Sequence, residues 1–67
     1  MNHIKLKEAR IKAGITQEKM SKEMGFKNKA SYCLLENGIS KCTVDQAKVI
    51  KQALHLSKEE SFDIFLN

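Results

Sequence analysis

Apolar residues recur along this chain three and four positions apart, which is the spacing of residues that share one face of an α-helix. The first such stretch, residues 3–13, has four residues on its predicted inward face: Leu6, Ala9, Arg10 and Ala13. The chain contains no proline and only three glycines, a composition that favours helices over a turn-rich β fold. We therefore predict an all-α protein with five helices, forming a single domain over residues 1–67.

Residues that start and stop helices set the predicted bounds. Four positions carry a side-chain oxygen that can cap a backbone N–H at a helix start: Thr16, Asn28, Thr43 and Ser57. Gly25 and Gly38 follow the second and third helices, because glycine reaches the positive φ of a helix stop at little cost. The helices are predicted at about 3–13, 17–24, 29–37, 43–54 and 57–66.

The last two helices carry apolar stripes of their own. The fourth is predicted to turn four residues inward: Val44, Ala47, Ile50 and Leu54. In the fifth, Phe62, Phe65 and Leu66 lie three and four apart, so we expect them to pack on the first and fourth helices. Ile64 lies off that stripe and is expected at the surface, beside the turn at Leu56.

Length and hydropathy bound the class of protein. A chain of 67 residues buries only about 60% of its unfolded surface, so its core is small and leaves no room for a separate catalytic or ligand-sensing domain. No run of 18 apolar residues predicts a transmembrane helix, and residues 1–10 lack the apolar stretch of a signal peptide. We expect a cytoplasmic protein with no membrane partner and no small-molecule ligand.

Positive charge is concentrated in the first part of the chain. Residues 1–41 contain nine Lys/Arg and four Glu, a net charge of +5, whereas residues 42–67 contain three Lys and four Asp/Glu, a net charge of −1. This asymmetry suits a surface that binds phosphate groups. The alternative is a generic solvated basic surface.

Neither a metal site nor an enzyme is predicted. Cys33 and Cys42 are expected to be free thiols in a reducing cytosol, and with His3 and His55 they lack any zinc-finger spacing. Neither histidine is paired with a carboxylate in the sequence, and the acidic residues of the fifth helix are expected to be a solvated face. We expect no cofactor, and a redox role for Cys33 stays open beside a purely structural one.

The segment from Thr16 to Gly38 predicts two short helices joined by a tight turn at Gly25. In the second of them, Tyr32 and Leu35 form an apolar pair three residues apart that should face the core. A helix, a tight turn and a second helix on a basic chain is the layout of a helix-turn-helix that reads DNA.

The residues of this segment resemble a known family. Thr16-Gln17-Glu18, Ser21, Gly25 and Glu36-Asn37-Gly38 resemble the helix-turn-helix of the phage repressor and Cro-type family, also called the xenobiotic-response-element family. The resemblance extends from Leu6, Ala9-Arg10 and Gly14-Ile15 through the fourth and fifth helices. It implies a lambda-repressor-like DNA-binding domain, acting as a transcriptional regulator such as a phage or mobile-element repressor on a palindromic operator.

The resemblance also implies roles for particular residues. Arg10 and Glu36 would form a partly buried salt bridge between the first and third helices. The amide of Gln17 would contact phosphate and brace the first side chain of the third helix; a plain polar helix start is the alternative. One extra residue relative to the family falls between Gly25 and Tyr32, so Lys27 is either a spacer or an added phosphate contact.

The third helix should read bases with the side chains that the core does not use. Lys29 can donate to guanine O6 and N7, Ser31 can bond to either kind of base edge, and Ala30 or Leu34 can touch a thymine methyl group. For Leu34 the alternative is packing at the edge of the fourth helix. Residues beside this helix could bind backbone phosphates: Asn28, Asn37, Ser40 and Lys41. Asn28 is otherwise simply a cap, and Asn37 simply part of a helix stop.

A second subunit is expected on DNA. One module of this size buries only about 600–1,000 Å² of its surface on DNA, which is seldom enough for tight specific binding. We therefore predict a weak homodimer through the end of the fifth helix, with Ile64 and the Leu56 turn at the contact. The alternative function is an antitoxin-like interaction module that neutralises a partner protein.

Overall fold

The computed structural model describes residues 1–66, which form five α-helices and, within that range, no strand. The helices are α1 (His3–Lys12), α2 (Gln17–Glu23), α3 (Lys29–Glu36), α4 (Val44–Ala53) and α5 (Lys58–Phe65). The predicted all-α class with five helices is confirmed. Within residues 1–66, no helix has the length and apolar character that crossing a membrane requires.

Each helix begins at a side-chain cap, as the sequence predicts for four of them. Thr16, Asn28, Thr43 and Ser57 each accept a hydrogen bond from the backbone N–H three residues later, over 3.0–3.2 Å. Thr43 and Ser57 belong to complete capping boxes, in which Gln46 and Glu60 reach back to the cap N–H. Asn2 caps α1 in the same way, and this cap is not among the sequence predictions.

Helix ends follow the glycines and one histidine. Gly14, Gly25 and Gly38 have φ between 72° and 78°, a region that a residue with a Cβ adopts only at a cost. His55 takes the same role after α4, with φ 53°. The predicted bounds run one residue too far at the end of all five helices, because the last predicted residue of each is the C-cap rather than part of the helix. The predicted starts of the last two helices, Thr43 and Ser57, are their N-caps.

The core lies where the five helices meet. Among the described residues, eight apolar side chains are no more than 9% exposed: Leu6, Met20, Tyr32, Leu35, Ile50, Leu54, Leu56 and Ile64. α2 packs against α3 and α4, while α1 packs against α3 and α5. Every helix contributes to this one cluster, so the loss of a single large side chain from it costs roughly 2–5 kcal/mol.

The prediction for α5 is confirmed for Phe65, which packs against the core, and wrong for Phe62, Leu66 and Ile64. Ile64 is only 2% exposed, whereas Phe62 is 59% and Leu66 is 73% exposed. Ser61, Ile64 and Phe65 have the same three-and-four spacing as the predicted stripe, so helical periodicity fits either face equally. The Ile64 face is the one that packs on the core, and α5 also packs against α1. The Asn2 N–H, just before α1, donates to the Ile64 carbonyl oxygen over 2.6 Å.

Three further residues differ from their predicted burial or exposure. Val44 is 75% exposed, because it occupies the first turn of α4, ahead of the part of the helix that contributes Ile50 to the core. Ala13 is exposed because it is the C-cap of α1, beyond the last packed turn. Leu56, expected at a dimer contact, is buried in the core.

Candidate nucleic-acid interface

The turn between α2 and α3 fixes how the two helices meet. After Gly25, the Phe26 N–H donates to the Ser21 carbonyl oxygen over 3.0 Å, which turns the chain back towards α2. The buried Ser21 hydroxyl donates to the Asn28 carbonyl oxygen over 2.7 Å. Asn28 then caps α3, so a residue buried in α2 anchors the point at which α3 begins.

A buried polar network holds the other end of α3. Glu36 in the last turn of α3 accepts from Arg10 Nε over 2.8 Å and from Gln17 Nε2 over 2.5 Å, one bond to each carboxylate oxygen. Arg10 Nη1 also donates to the Ile15 carbonyl oxygen over 2.7 Å. The ion pair between the first and third helices, implied by the family resemblance, is confirmed. It ties α1, α2 and α3 together.

Gln17 braces a different residue from the one expected. Its amide nitrogen bonds Glu36 at the end of α3, whereas the expectation was a brace to the first side chain of that helix. The reason is that the Glu36 carboxylate is buried and needs a second donor beside Arg10. The side-chain amide nitrogen carries two hydrogens, so one N–H of Gln17 is left to donate to a phosphate. That phosphate contact stays a prediction.

The outward face of α3 is mostly apolar. Tyr32, Leu35 and Glu36 are the buried residues of this helix. The opposite side carries a stripe at positions i, i+3, i+4 and i+7, which we call the outer stripe: Ala30, Cys33, Leu34 and Asn37. Leu34 is 42% exposed, and α3 packs on α1 and α2, so the alternative in which Leu34 packs at the edge of α4 is not favoured.

Two polar residues flank the outer stripe at the start of α3. Lys29 is the first residue of the helix and is exposed. Ser31 lies between the outer stripe and the buried face and is half-buried, and its N–H donates to the Asn28 cap. Both are in the first turn, which is the part of a recognition helix that approaches base edges.

The residues predicted to contact phosphates are exposed and lie at the two ends of α3: Lys27, Asn28, Asn37, Ser40 and Lys41. The two asparagines also have the structural roles given above as the alternatives to phosphate binding, a helix cap for Asn28 and a helix stop for Asn37. Asn28 Oδ1 is occupied by the cap, and Asn37 follows α3 as its C-cap, with its side-chain amide donating to Cys33 Sγ over 3.3 Å. Their remaining polar atoms are an amide N–H₂ on Asn28 and an amide oxygen on Asn37.

The loop after α3 folds back on the helix. The backbone N–H groups of Ile39 and Ser40 both donate to the Leu34 carbonyl oxygen, over 2.9 and 3.2 Å. This brings Ser40 and Lys41 to the end of α3. It also leaves Ile39 71% exposed in the same region. Ile39 is not among the residues predicted from the sequence, because a single apolar residue after a glycine carries no sign that it will be exposed.

The surface around α3 is positive. From Met24 to Val44 the chain has three lysines and a single carboxylate, Glu36. Because Glu36 is 1% exposed and paired with Arg10, it adds little negative potential at the surface. The exposed carboxylates of α2 lie within reach of lysines on the same helix, in Lys19–Glu23 and Lys22–Glu18 pairs. An anionic ligand would therefore meet lysines on both sides of α3.

A second exposed apolar surface lies away from the outer stripe. Val44, Phe62 and Leu66, which we call the α4–α5 patch, line a depression between the two helices together with Lys48, Lys51 and Lys58. A further depression beside Phe62 is lined by Glu59 and Asp63 together with Lys58. A neighbouring depression joins Val44 and Leu66 to Ser40 and Lys41, so this patch is continuous with the loop at the end of α3.

The two thiols lie in partly buried positions. Cys33 and Cys42 are free and half-buried, and burial raises the pKa of the Cys42 thiol. Within residues 1–66, no three His, Cys, Asp or Glu side chains come together in a way that could hold a metal ion.

Comparison with known proteins gives no family for this chain. No protein-family model matches it, and neither a curated protein nor a solved structure matches it significantly. The resemblance to the phage repressor and Cro-type family therefore stays a prediction from the quoted residues.

Proposed function

We propose that this protein is a sequence-specific DNA-binding transcriptional regulator that places α3 in the major groove. The observation that carries the proposal is the surface of α3. Its outward face is not used by the core, exposed lysines lie at both ends, and the one carboxylate between Met24 and Val44, Glu36, is buried against Arg10. A polyanion with a groove about 12 Å wide, able to admit an α-helix, fits this surface best.

The proposed mechanism depends on a rigidly presented helix. The Ser21 hydroxyl fixes the start of α3 and the Glu36 network fixes its end. A recognition element that is already ordered loses less conformational entropy on binding, and keeps its side chains in register with the bases. Lys29 and Ser31 would then reach base edges from the first turn, with Ala30 and Leu34 beside them.

Phosphate contacts would set the position of the helix on the duplex without reading sequence. Lys27 and Asn28 precede α3, while Ser40 and Lys41 follow it, so they would meet the backbone on the two sides of one groove. The second N–H of Gln17 is a further donor for this role.

The protein would bind as a weak homodimer, because one module buries too little surface for tight specific binding. With Ile64 and Leu56 buried, the α4–α5 patch is the surface we propose for the contact. One depression beside Phe62 is lined by lysines and the other by Glu59 and Asp63 with Lys58, so a two-fold axis running along α5 would bring the carboxylates of one copy close to lysines of the other. The patch also adjoins Ser40 and Lys41, which would place the second subunit near the same stretch of DNA.

The biological role we propose is that of a cytoplasmic repressor of phage or mobile-element type, which blocks transcription by occupying its operator. The second candidate is an antitoxin-like interaction module. Exposed Leu34 and Ile39 are the observation that favours it, since apolar side chains at the surface also suit a protein partner. A small toxin-like reading frame beside the gene would favour this second candidate.

Selection from a pool of random double-stranded DNA tests the proposal. The protein should enrich a palindromic sequence with two half-sites whose centres are about 34 Å apart, one turn of DNA. A Lys7→Ala variant, altered at an exposed lysine of α1, should enrich the same sequence. If the unmodified protein enriches no sequence over the starting pool, the proposal of specific DNA binding fails.

A further inference from the structure

The centre of the outer stripe has a composition that is unusual for a surface that would read bases. Ala30, Cys33 and Leu34 form its first two turns, and none is a strong hydrogen-bonding side chain. Asn37 comes only at the end of the stripe, where its amide nitrogen is bonded to Cys33. The polar residues Lys29 and Ser31 lie to either side. A base facing the centre of this stripe therefore meets carbon and sulfur atoms.

The major groove offers one apolar group to such a surface. Each base edge presents donors and acceptors there, and only thymine adds a methyl group, at C5. Placing Ala30 and Leu34 against any other base would take that base's polar atoms out of water without a replacement bond, which is unfavourable. Against thymine, the same side chains bury a methyl group instead.

We propose, resting on the DNA-binding function above, that Ala30 and Leu34 read thymine methyl groups. Four residues of α-helix advance about 6 Å, and successive bases of one strand are about 3.4 Å apart. The two side chains therefore span one to two base steps, and the half-site carries two thymines within that distance. Lys29 reads a guanine beside them, since it lies at the start of the helix, off the apolar stripe.

Removing only the methyl groups tests this inference. The probe is the duplex selected from the random pool, compared with the same duplex in which deoxyuridine replaces each of the two thymines in turn. Burial of one methyl group corresponds to roughly a fourfold change in Kd, so each replacement should weaken binding about fourfold, and both together about fifteenfold. Deoxyuridine outside the half-sites should change nothing.

A variant assigns the effect to a side chain. Leu34→Ala should bind the thymine duplex more weakly and lose its sensitivity to deoxyuridine at one of the two positions. Ile11→Ala, a matched truncation of an exposed aliphatic residue on α1, should keep the full sensitivity. Because the deoxyuridine comparison uses the unmodified protein, its result does not depend on the folding of any variant.

The possible results separate this inference from the proposed function. If the unmodified protein binds the deoxyuridine duplexes as tightly as the thymine duplex, methyl readout is wrong while DNA binding stands. A selected half-site without two thymines within two base steps overturns it in the same way. If no duplex is bound at all, the DNA-binding proposal falls and this inference falls with it.

Discussion

Arg10 Nε donates to Glu36 Oε1 over 2.8 Å, joining the last turn of α1 to the last turn of α3 across 26 residues of sequence. The two side chains are only 11% and 1% exposed. Each charge is costly to bury alone, and each is satisfied by the other together with the Ile15 carbonyl oxygen and the Gln17 amide. The pair therefore orients α3 at the expense of making the fold dependent on both partners.

Replacing Arg10 by Met should destabilise the fold strongly. The variant leaves the Glu36 carboxylate buried without its cation, and breaking a buried pair costs roughly 3–5 kcal/mol. Since small domains have little total stability, much of the variant should be unfolded at ambient temperature. Urea denaturation followed by circular dichroism measures this, with Lys7→Met as the control. If Arg10→Met melts like the parent but no longer binds DNA, Arg10 is a contact residue instead.

Replacing Tyr32 by Phe should leave the protein as stable or more stable. The Tyr32 hydroxyl is fully buried and has no hydrogen-bond partner among residues 1–66. Burying an unsatisfied polar group costs about 1–3 kcal/mol, so we expect a gain of about 1 kcal/mol in the free energy of unfolding. A loss of more than about 1 kcal/mol in the Phe variant would show that the hydroxyl has a stabilising role.

The same variant should alter the response to alkaline pH. Burial, followed by the nearby Glu36 charge, raises the pKa of Tyr32 well above its ordinary value. Because the pKa is raised in the folded state, the unfolded state loses this proton first as pH rises. The free energy of unfolding is therefore unaffected below the unfolded pKa of about 10 and falls as pH rises beyond it. Melting temperatures from pH 8 to 11 should therefore fall more steeply for the parent than for Tyr32→Phe. Equal slopes would contradict this assignment.

Specific DNA binding should depend on the first turn of α3. Lys29→Ala or Ser31→Ala should each cost about 1–3 kcal/mol on the preferred site and relax the preference at one base position. Neither side chain is in the apolar core, so the fold should be retained. Fluorescence titration against the preferred duplex and single-base variants measures both effects, with Lys7→Ala as the control. Unchanged affinity and preference in both variants would place the reading face elsewhere.

Dimerisation should depend on the α4–α5 patch. Phe62→Lys should abolish cooperative binding to two half-sites while binding to one half-site survives, because it places a charge in the proposed contact without touching the core. Ile4→Lys alters an equally exposed residue of α1 and should keep cooperativity. Sedimentation and operator titration measure the two properties. Cooperative binding by Phe62→Lys would place the interface elsewhere.

Local patterns predict most of this fold, and tertiary contacts decide the remainder. Caps such as Thr43 and stops such as Gly25 depend on neighbouring residues alone, so the sequence predicts them correctly. The position of Arg10 on an inward face also predicts a buried partner, because a charge is costly to bury alone. The face of α5 could not be predicted, because the Ile64 and Phe62 faces have equal periodicity and the choice between them is made by packing against other helices, α1 among them.

The candidate site shows the same division. Exposure of Leu34 follows from Leu35 already filling the core position, which the sequence indicates. The partner of Gln17 does not follow, because the need of a buried carboxylate for a second donor is visible only once α1 and α3 have met. Ile39 likewise becomes a surface feature only when the loop folds back onto the Leu34 carbonyl.

The salt dependence of binding to double-stranded DNA is the measurement that decides whether this protein neutralises DNA phosphates. Each neutralised phosphate contributes about −0.9 to the slope of log K against log salt, and Lys27, Lys29 and Lys41 with nearby donors should neutralise several. We therefore predict a slope of roughly −3 to −5 per monomer on duplexes of unrelated sequence. A flat response, or no measurable binding at low salt, would contradict DNA binding and favour the protein-interaction alternative.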